Sequence, residues 1–299
     1  MAILIPDARR GLLGGLIDDA ALLLSTPPTM EHAVNAYLRL RATENGWKVG
    51  RLVVPASRLE ELAGVLVGTL QSGEAPVPIV TAFDGEIAAN ASVAAAVHKM
   101  LDPAARIERV LLSHRDSDRV DRVVDAVSAG NGIHHSVLSM VAVPVGVPDN
   151  QTMKWIAAAG TEALRPAGAW IDLRSTTVDP GALSATIRSC VRSSLPFTVL
   201  ADRLPFVTQA DLQTGEYRYG ALNLLAATLH AHSSGPEAAD VLVDDSPRTY
   251  SINFGGITRN GVEIRSRGLA AADRSPLVSL ATSDAADAVT ALGALNQAL

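Results

Sequence analysis

Two short apolar segments in the second half of the chain each end in a carboxylate and an arginine: Asp172 with Arg174, and Asp202 with Arg203. If these segments are neighbouring parallel strands, their carboxyl ends lie side by side and bring the four residues together. A carboxylate there can act as a general base, and an arginine can bind a carboxylate or phosphate group. We predict Asp172 and Asp202 as catalytic residues. Arg174 and Arg203 are predicted to bind a small anionic substrate.

A structural interpretation of the same residues is equally open. Two aspartates that share a proton, or an Asp/Arg ion pair that closes the end of a barrel, would shift pKa values just as an active site does. Side-chain alternation makes the placement testable, because successive residues of a strand point to opposite faces. We expect Trp170, Asp172 and Asp202 to point into a barrel. Ile171 and Val199 should pack beneath the outer helices.

Two further polar residues are candidates at other predicted segment ends. His114 directly follows an apolar segment, and general acid/base catalysis is its predicted role. An exposed loop histidine ahead of a helix cap at Asp116 is the competing interpretation. Ser283 begins the last predicted helix, where backbone N–H groups can bind an anion, so it is predicted as a substrate-binding residue. Ordinary capping of that helix explains Ser283 as well.

Several chemistries are disfavoured by the residues that the chain lacks. An imine-forming mechanism needs a lysine inside the barrel, and none of the three lysines follows a predicted strand: Lys48, Lys99 and Lys154. Cys190 lies in an apolar helical pattern, and no Gly-x-Ser-x-Gly motif occurs. The three predicted acid/base residues could together hold a divalent ion, but no pair of histidines supports a metal site and none is expected. The cofactor is left open.

The elements that position these residues follow from an alternation of β-branched and Ala-rich amphipathic segments. The repeat is about 30 residues long, which is the length of a βα unit and predicts parallel strands joined by right-handed crossovers. The predicted strands comprise residues 51–55, 77–82, 107–113, 137–145, 169–174 and 197–201. The predicted helices between them comprise residues 57–70, 87–101, 116–129, 150–164 and 180–193.

The two ends of the chain depart from this repeat. Residues 8–24 and 30–43 are predicted as helices. Residues 220–230 form an apolar helix, residues 248–264 an antiparallel ribbon with an Asn-Gly turn, and residues 276–281 and 284–295 a final strand and helix. Counting the first ribbon strand as the seventh completes eight strands. We predict an α/β protein with a (β/α)8 barrel fold.

The predicted barrel is a single domain, with N-terminal helices in residues 1–45 and the barrel in residues 46–299. An open doubly wound sheet is the alternative, but no glycine-rich phosphate turn follows the first strand. The net charge of −6 provides no basic field, so nucleic acid is not an expected partner. Asp18 and Asp19 interrupt the apolar N-terminal stretch, and no apolar run reaches about 18 residues. We therefore expect neither a secretion signal nor a membrane span, and a cytoplasmic location.

Five stretches of the sequence resemble an actinobacterial family of uncharacterised barrel proteins. They are residues 52–59 (LVVPASRL), 172–174 (DLR), 195–197 (LPF), 220–225 (GALNLL) and 291–295 (ALGAL). The resemblance spans most of the chain and implies the barrel fold. It also implies lysines in the fifth and sixth strands and a Gly-Leu-His-His element, but this chain has Asp172, Thr198 and the segment 202–205 (DRLP) at those places.

Two hypotheses for function follow. The first is a lyase- or isomerase-type enzyme that acts on a small anionic metabolite through its carboxylates. The second is a barrel that has lost catalysis and acts as a binding or scaffold protein, which the loss of the family lysines favours. Under this second hypothesis the barrel is expected as a homodimer that buries apolar helices.

Overall fold

Eight parallel strands close into a barrel in this computed structural model, which describes residues 8–69, 75–102, 104–112, 133–134, 136–145, 150–162, 167–174, 177–211, 213–232, 238–253, 256–260, 262–264 and 276–294. The strands in chain order are β1 (Ile17–Asp19), β2 (Val49–Pro55), β3 (Val77–Ala82), β4 (Ala105–Leu112), β5 (Leu138–Val143), β6 (Ala167–Asp172), β7 (Phe197–Ala201), β8 (Gln209–Ala210), β9 (Tyr217–Arg218), β10 (Tyr250–Asn253), β11 (Gly256–Arg259), β12 (Val262–Ile264) and β13 (Leu277–Thr282). The barrel order is β1-β13-β7-β6-β5-β4-β3-β2. The predicted barrel fold is confirmed.

Helices surround the barrel and follow its strands. They are α1 (Ala8–Leu13), α2 (Met30–Arg41), α3 (Leu59–Thr69), α4 (Ile87–Leu101), α5 (Asn150–Glu162), α6 (Pro180–Arg192), α7 (Ala221–Ala231), α8 (Ala238–Leu242) and α9 (Ala285–Ala294). Asp179 caps α6 by accepting a 2.8 Å hydrogen bond from the Ala182 amide, with Pro180 at the first helical position. The helix predicted over residues 116–129 lies outside the described residues. No helix among the described residues is long and apolar enough to cross a membrane.

The barrel begins earlier in the chain than the sequence predicted. Residues 8–24 were expected to be one helix, but α1 ends at Leu13 and β1 pairs in parallel with both β2 and β13. The division into N-terminal helices (1–45) and barrel (46–299) is therefore wrong. A strand of three residues, two of them aspartates, carries too little periodicity to be distinguished from a polar interruption of a helix.

The C-terminal ribbon is a separate antiparallel sheet. Within the described residues, strands β10, β11 and β12 pair only with one another, and Asn260 has a positive φ of 51° in the turn that follows β11. The predicted ribbon is confirmed, but its use as the seventh barrel strand is wrong. The missing strand is β1, so the ribbon lies outside the barrel wall.

The core has two parts, one outside and one inside the barrel wall. Ile171 and Val199 belong to the large cluster between the strands and the helices, which confirms their predicted direction. Trp170 and Leu200 belong to the smaller cluster, together with residues that alternate inward on the other strands. Asp172 lies two residues after Trp170, and Asp202 lies two residues after Leu200, so each shares the direction of the residue it follows. They therefore lie on the inward side, where the barrel opens.

Candidate active site

A cleft of about 450 Å³ opens beyond the carboxyl ends of β6 and β7. The short hairpin of β8 and β9 forms its other wall. Carboxyl ends of barrel strands are where barrel enzymes place their working residues. The lining includes charged, tyrosine and apolar residues: Leu173, Arg174, Thr177, Val178, Ala201, Asp202, Arg203, Glu216, Tyr217, Arg218 and Tyr219.

The segment that carries the hairpin is held by buried hydrogen bonds. Asn223 on α7 accepts a 2.9 Å bond from the Thr208 amide and donates to the Val241 and Asp244 carbonyls. The Thr208 hydroxyl accepts from the Gly220 amide at 3.0 Å. A Cβ at Gly220 would lie 2.4 Å from the Val207 backbone, so only glycine permits this close approach. The chain between β7 and α7 is thereby fixed at both of its ends.

Contacts across the cleft hold the hairpin against the strand ends. The Thr177 hydroxyl donates to Glu216 at 2.6 Å, and the Tyr219 hydroxyl donates to the Val178 carbonyl. The rings of Tyr217 and Tyr219 stack with their centroids 6.2 Å apart. The hairpin therefore supplies a wall with an aromatic part and a charged part to the cleft.

Asp172 and Arg174 form a two-point ion pair at the cleft. The Arg174 Nε and terminal nitrogen lie 3.0 and 2.8 Å from the two Asp172 carboxylate oxygens, and a further nitrogen donates to the Leu23 carbonyl at 3.5 Å. These hydrogen bonds to Asp172 raise the pKa of Arg174, and the negative charge of Asp202 adds to the effect. Asp172 thus positions Arg174, and both oxygens of its carboxylate are engaged.

Asp202 presents an exposed side chain to the cleft while its backbone is tied to β13. Its carbonyl oxygen accepts hydrogen bonds from the Thr282 hydroxyl at 3.2 Å and from the Ser283 hydroxyl. Among the residues that the structure describes, no cation lies within ion-pair distance of the Asp202 carboxylate. The Asp202 carboxylate is therefore available to a ligand.

Arg203 and Arg218 are exposed on opposite walls of the cleft, one following β7 and the other at the end of β9. Within the described part of the chain, neither guanidinium forms an ion pair. Arg218 and Glu216 were not anticipated from the sequence, because the hairpin consists of two-residue strands with no periodic pattern. The Glu-Tyr-Arg-Tyr run after Gly215, which has a positive φ of 72°, was the available signal.

The other two predicted site residues do not join this group in the described structure. His114 lies outside the described residues, and its role stays a prediction. Ser283 donates its hydroxyl to the Asp202 carbonyl, which joins the ends of β7 and β13. The first turn of α9 also carries Asp287 close to Asp284, and burial together with the Asp287 charge raises the pKa of Asp284. These two carboxylates oppose the binding of an anion at the start of α9.

The amino end of the barrel holds a second polar group, which is buried. Asp18 and Arg109 point into the barrel, with carboxylate oxygen and guanidinium nitrogen 3.3 Å apart. Arg109 also donates to the Ser279 hydroxyl at 2.7 Å, and Ser279 lies 3.1 Å from the Thr198 hydroxyl. The Arg51 amide donates to Asp18 at 2.7 Å, and Arg51 pairs with Glu108. A cleft of about 460 Å³ lies beneath this network, with Arg51 and Arg109 in its lining.

Asp19, the neighbour of Asp18, has no cation within ion-pair distance among the residues that the structure describes. It is 7% exposed and accepts a 3.0 Å hydrogen bond from the Ala21 amide. Burial raises the pKa of Asp19 to about 6, with the charge of Asp18 adding to the effect and the Ala21 hydrogen bond opposing it. The sequence indicated neither aspartate as a structural residue of the barrel.

The three lysines and the cysteine do not line the carboxyl-end cleft. Lys48 is buried just before β2, with its ammonium group 4.6 Å from the centre of the Trp47 ring, and Lys99 and Lys154 are exposed on α4 and α5. Burial raises the pKa of Cys190 to about 12. The described residues contain no group of three His, Cys, Asp or Glu side chains that could hold a metal ion.

Comparisons with known proteins support the architecture. A solved structure described as "QR15, an Aldolase" has a similar fold, with a TM-score of 0.50 and 11% sequence identity, over 96% of this chain and 98% of that chain. At this identity the likeness shows the barrel fold alone. No family model matches the chain. No curated protein matches it either. The resemblance to actinobacterial barrel proteins stays a prediction.

Proposed function

We propose that the carboxyl-end cleft binds a small anionic metabolite and that the protein is a lyase- or isomerase-type enzyme acting on it by proton transfer. The observation that carries the proposal is the pair of exposed arginines, Arg203 and Arg218, that face the same cleft as the exposed carboxylate of Asp202. Arginine binds carboxylates and phosphates through paired hydrogen bonds. A cleft of about 450 Å³ is within the range of small-molecule sites.

Each cleft residue has a distinct proposed role. Arg203 and Arg218 bind the anionic group of the substrate, and Arg174, held by Asp172, supplies a third positive charge. Asp202 removes a proton from a carbon next to the bound carboxylate or to a carbonyl. The arginines then stabilise the negative charge that develops on the carbonyl oxygen. His114 is proposed as the second acid/base residue that returns a proton.

One observation favours the second candidate function, a barrel that binds its ligand without turnover. Both oxygens of Asp172 are engaged by Arg174, so one of the two carboxylates predicted for catalysis is used to hold an arginine. Imine chemistry is not part of either proposal, since no lysine lines the cleft. Borohydride reduction in the presence of carbonyl compounds should therefore leave the mass of the protein unchanged.

The experiment that separates the two candidates measures binding and proton exchange together. Small phosphate esters and di- and tricarboxylates are screened by thermal shift, and each binder is incubated with the protein in D₂O and followed by proton NMR. An enzyme of the proposed type exchanges a carbon-bound proton, and D202N binds the ligand but loses the exchange. Binding without exchange in the wild-type protein would establish the second candidate, and no binding by any anion would contradict both.

A further inference from the structure

The outer surface of α3 and α4 has exposed charges only near its ends, at Glu60, Glu61 and Lys99, and its centre carries apolar and small residues. On α2 the exposed positions include Glu31, His32 and Arg39, as is usual for a solvated helix. On α3 and α4, Val67 is 73% exposed and Met100 is 62% exposed. The two helices pack against each other, so their exposed sides are continuous. We call this surface the α3–α4 face; its uncharged exposed residues are Gly64, Val67, Gly68, Ala88, Ala89, Ser92, Ala96 and Met100.

Two glycines on this face are not explained by packing within one copy of the chain. Gly64 and Gly68 are four residues apart, on the same side of α3. A Cβ built on either would meet no heavy atom within 4 Å. Glycine weakens a helix relative to alanine, so the barrel itself gains nothing from these residues. Small residues at such positions let the backbone of another helix approach closely.

The charges that remain on the two helices lie at opposite ends of the face. Glu60 is in the first turn of α3, towards the carboxyl ends of the strands, and Lys99 is in the last turn of α4, towards their amino ends. Both are exposed, and neither forms an ion pair within the part of the chain that the structure describes. Glu61 is already paired with Arg58. An apolar centre with a negative group at one end and a positive group at the other is complementary to a reversed copy of itself.

We propose that the α3–α4 face is the contact surface of a homodimer. The two copies are related by a two-fold axis that lies in the contact plane and runs obliquely to the helices, so that the helices of the two copies cross and Glu60 of each copy pairs with Lys99 of the other. A two-fold contact is self-complementary, which is why each pair occurs twice. Val67 and Met100 lie in the apolar part of the contact, and Gly64 and Gly68 allow the helices to approach.

The size of the face determines how stable this dimer can be. The 15 residues of α4 span about 22 Å. Two adjacent helices are about 20 Å wide, so the footprint is on the order of 400 Å² per copy, compared with about 800 Å² in a standard interface. We therefore expect a reversible dimer with a dissociation constant in the micromolar range. This proposal does not depend on whether the cleft is catalytic.

Sedimentation velocity over a concentration series tests the proposal. The wild-type protein should shift from monomer to dimer between about 1 and 300 μM, as a micromolar dissociation constant requires. V67E should raise that constant at least about tenfold, because it buries an unpaired charge. E60K and K99E should each weaken the dimer, since each brings like charges together twice. The double variant E60K/K99E should return the constant to within about twofold of wild type, because the pairs are restored in reverse.

The matched control is K154E, which reverses an exposed lysine on α5 and should leave association unchanged. Far-UV circular dichroism and the urea midpoint confirm that each variant is folded, as expected for substitutions of exposed residues. A protein that stays monomeric throughout the series would overturn the proposal. So would a dimer that V67E does not weaken, or a double variant no tighter than the two single variants.

Discussion

The two ends of the barrel hold clefts of nearly equal volume, about 460 Å³ at the amino end and about 450 Å³ at the carboxyl end, but their arginines differ. At the amino end, Arg109 faces Asp18 inside the barrel and Arg51 pairs with Glu108. At the carboxyl end, Arg203 and Arg218 are exposed and, within the described residues, form no ion pair. Cleft size therefore does not identify the functional end.

What distinguishes the two ends is where the charges are neutralised. The amino-end charges are matched by partners in the same chain, and Asp18 and Arg109 are almost fully buried. Such a network stabilises the barrel, and its charges are already paired and so are not available to a ligand. At the carboxyl end, Arg174 pairs with Asp172, whereas Arg203 and Arg218 are exposed and form no ion pair with the described residues, so these two are available to a ligand. The charges at the amino end should thus govern stability, and those at the carboxyl end should govern binding.

The largest expected effect is on the buried network. D18N removes the carboxylate that faces the buried Arg109 guanidinium and should lower the free energy of unfolding by about 3–5 kcal/mol. Urea denaturation followed by circular dichroism measures this loss. E108Q is the matched control, because the Arg51–Glu108 pair is partly exposed and its loss should cost less than about 1 kcal/mol.

A double variant shows whether the loss comes from the uncompensated charge. D18N/R109M replaces the guanidinium with an apolar side chain, so it should be more stable than D18N alone. If D18N costs no more than E108Q, the amino-end network does not stabilise the barrel as described.

The second prediction concerns Asp19, which is buried next to Asp18 but contacts no cation in the described part of the chain. Burial raises its pKa to about 6 in the folded protein, well above the ordinary aspartate value, so the folded state binds a proton more readily than the unfolded state. Stability therefore falls as pH rises from about 4 to about 6, by on the order of 2–3 kcal/mol. In D19N the side chain at position 19 cannot ionise, so this contribution to the pH dependence is lost.

The comparison of D19N with wild type isolates this effect from the other carboxylates. The free energy of unfolding of D19N, relative to wild type, should rise between pH 4 and pH 6 and be constant above about pH 7. Urea denaturation of both proteins across this range provides the measurement. A difference that is independent of pH would show that Asp19 is ionised as easily in the folded protein as in the unfolded one.

The smallest expected effect on stability is at the carboxyl end. D172N breaks the Asp172–Arg174 pair, but both side chains are more than a quarter exposed, so the cost should be below about 1 kcal/mol. The same variant should weaken anion binding, because Arg174 loses the contacts that position it. Urea denaturation and titration calorimetry on one preparation measure both effects. A stability loss as large as that of D18N would remove the distinction between the two ends.

The sequence predicted the carboxyl end better than the amino end, for physical reasons. The strand 77–82, the strand 197–201 and the helix 87–101 have long, regular patterns, and their predicted bounds match the structure. The alternation in β6 and β7 predicts that Asp172, Arg174, Asp202 and Arg203 lie at the same end of the barrel; Arg174, Asp202 and Arg203 line the cleft there, and Asp172 contacts it through Arg174. Parallel neighbours end at the same edge, so the argument needs only local pattern and strand order.

The amino-end network could not be predicted, because it depends on contacts that are distant in sequence. Asp18 and Arg109 are 91 residues apart, and Arg109 and Ser279 are 170 residues apart. β1 itself has only three residues and was interpreted as part of a helix. Without that strand, nothing indicated that Asp18 points into a barrel. Arg218 was missed for a related reason, since its hairpin is fixed by Asn223 and Thr208 rather than by its own pattern.

The most direct test of the central claim is a comparison of arginines from the two ends. The anion that binds best in the thermal-shift screen is titrated calorimetrically into wild type, R203A, R218A and R51A. Arg51 serves as the control because it lines a cleft of similar volume at the opposite end.

R203A and R218A should each raise the dissociation constant about 10- to 100-fold, as expected for the loss of a hydrogen-bonded charge, and R51A should change it less than about twofold. An anion whose binding is weakened by R51A and not by R203A or R218A would contradict the account, because it would place the binding site at the amino end of the barrel.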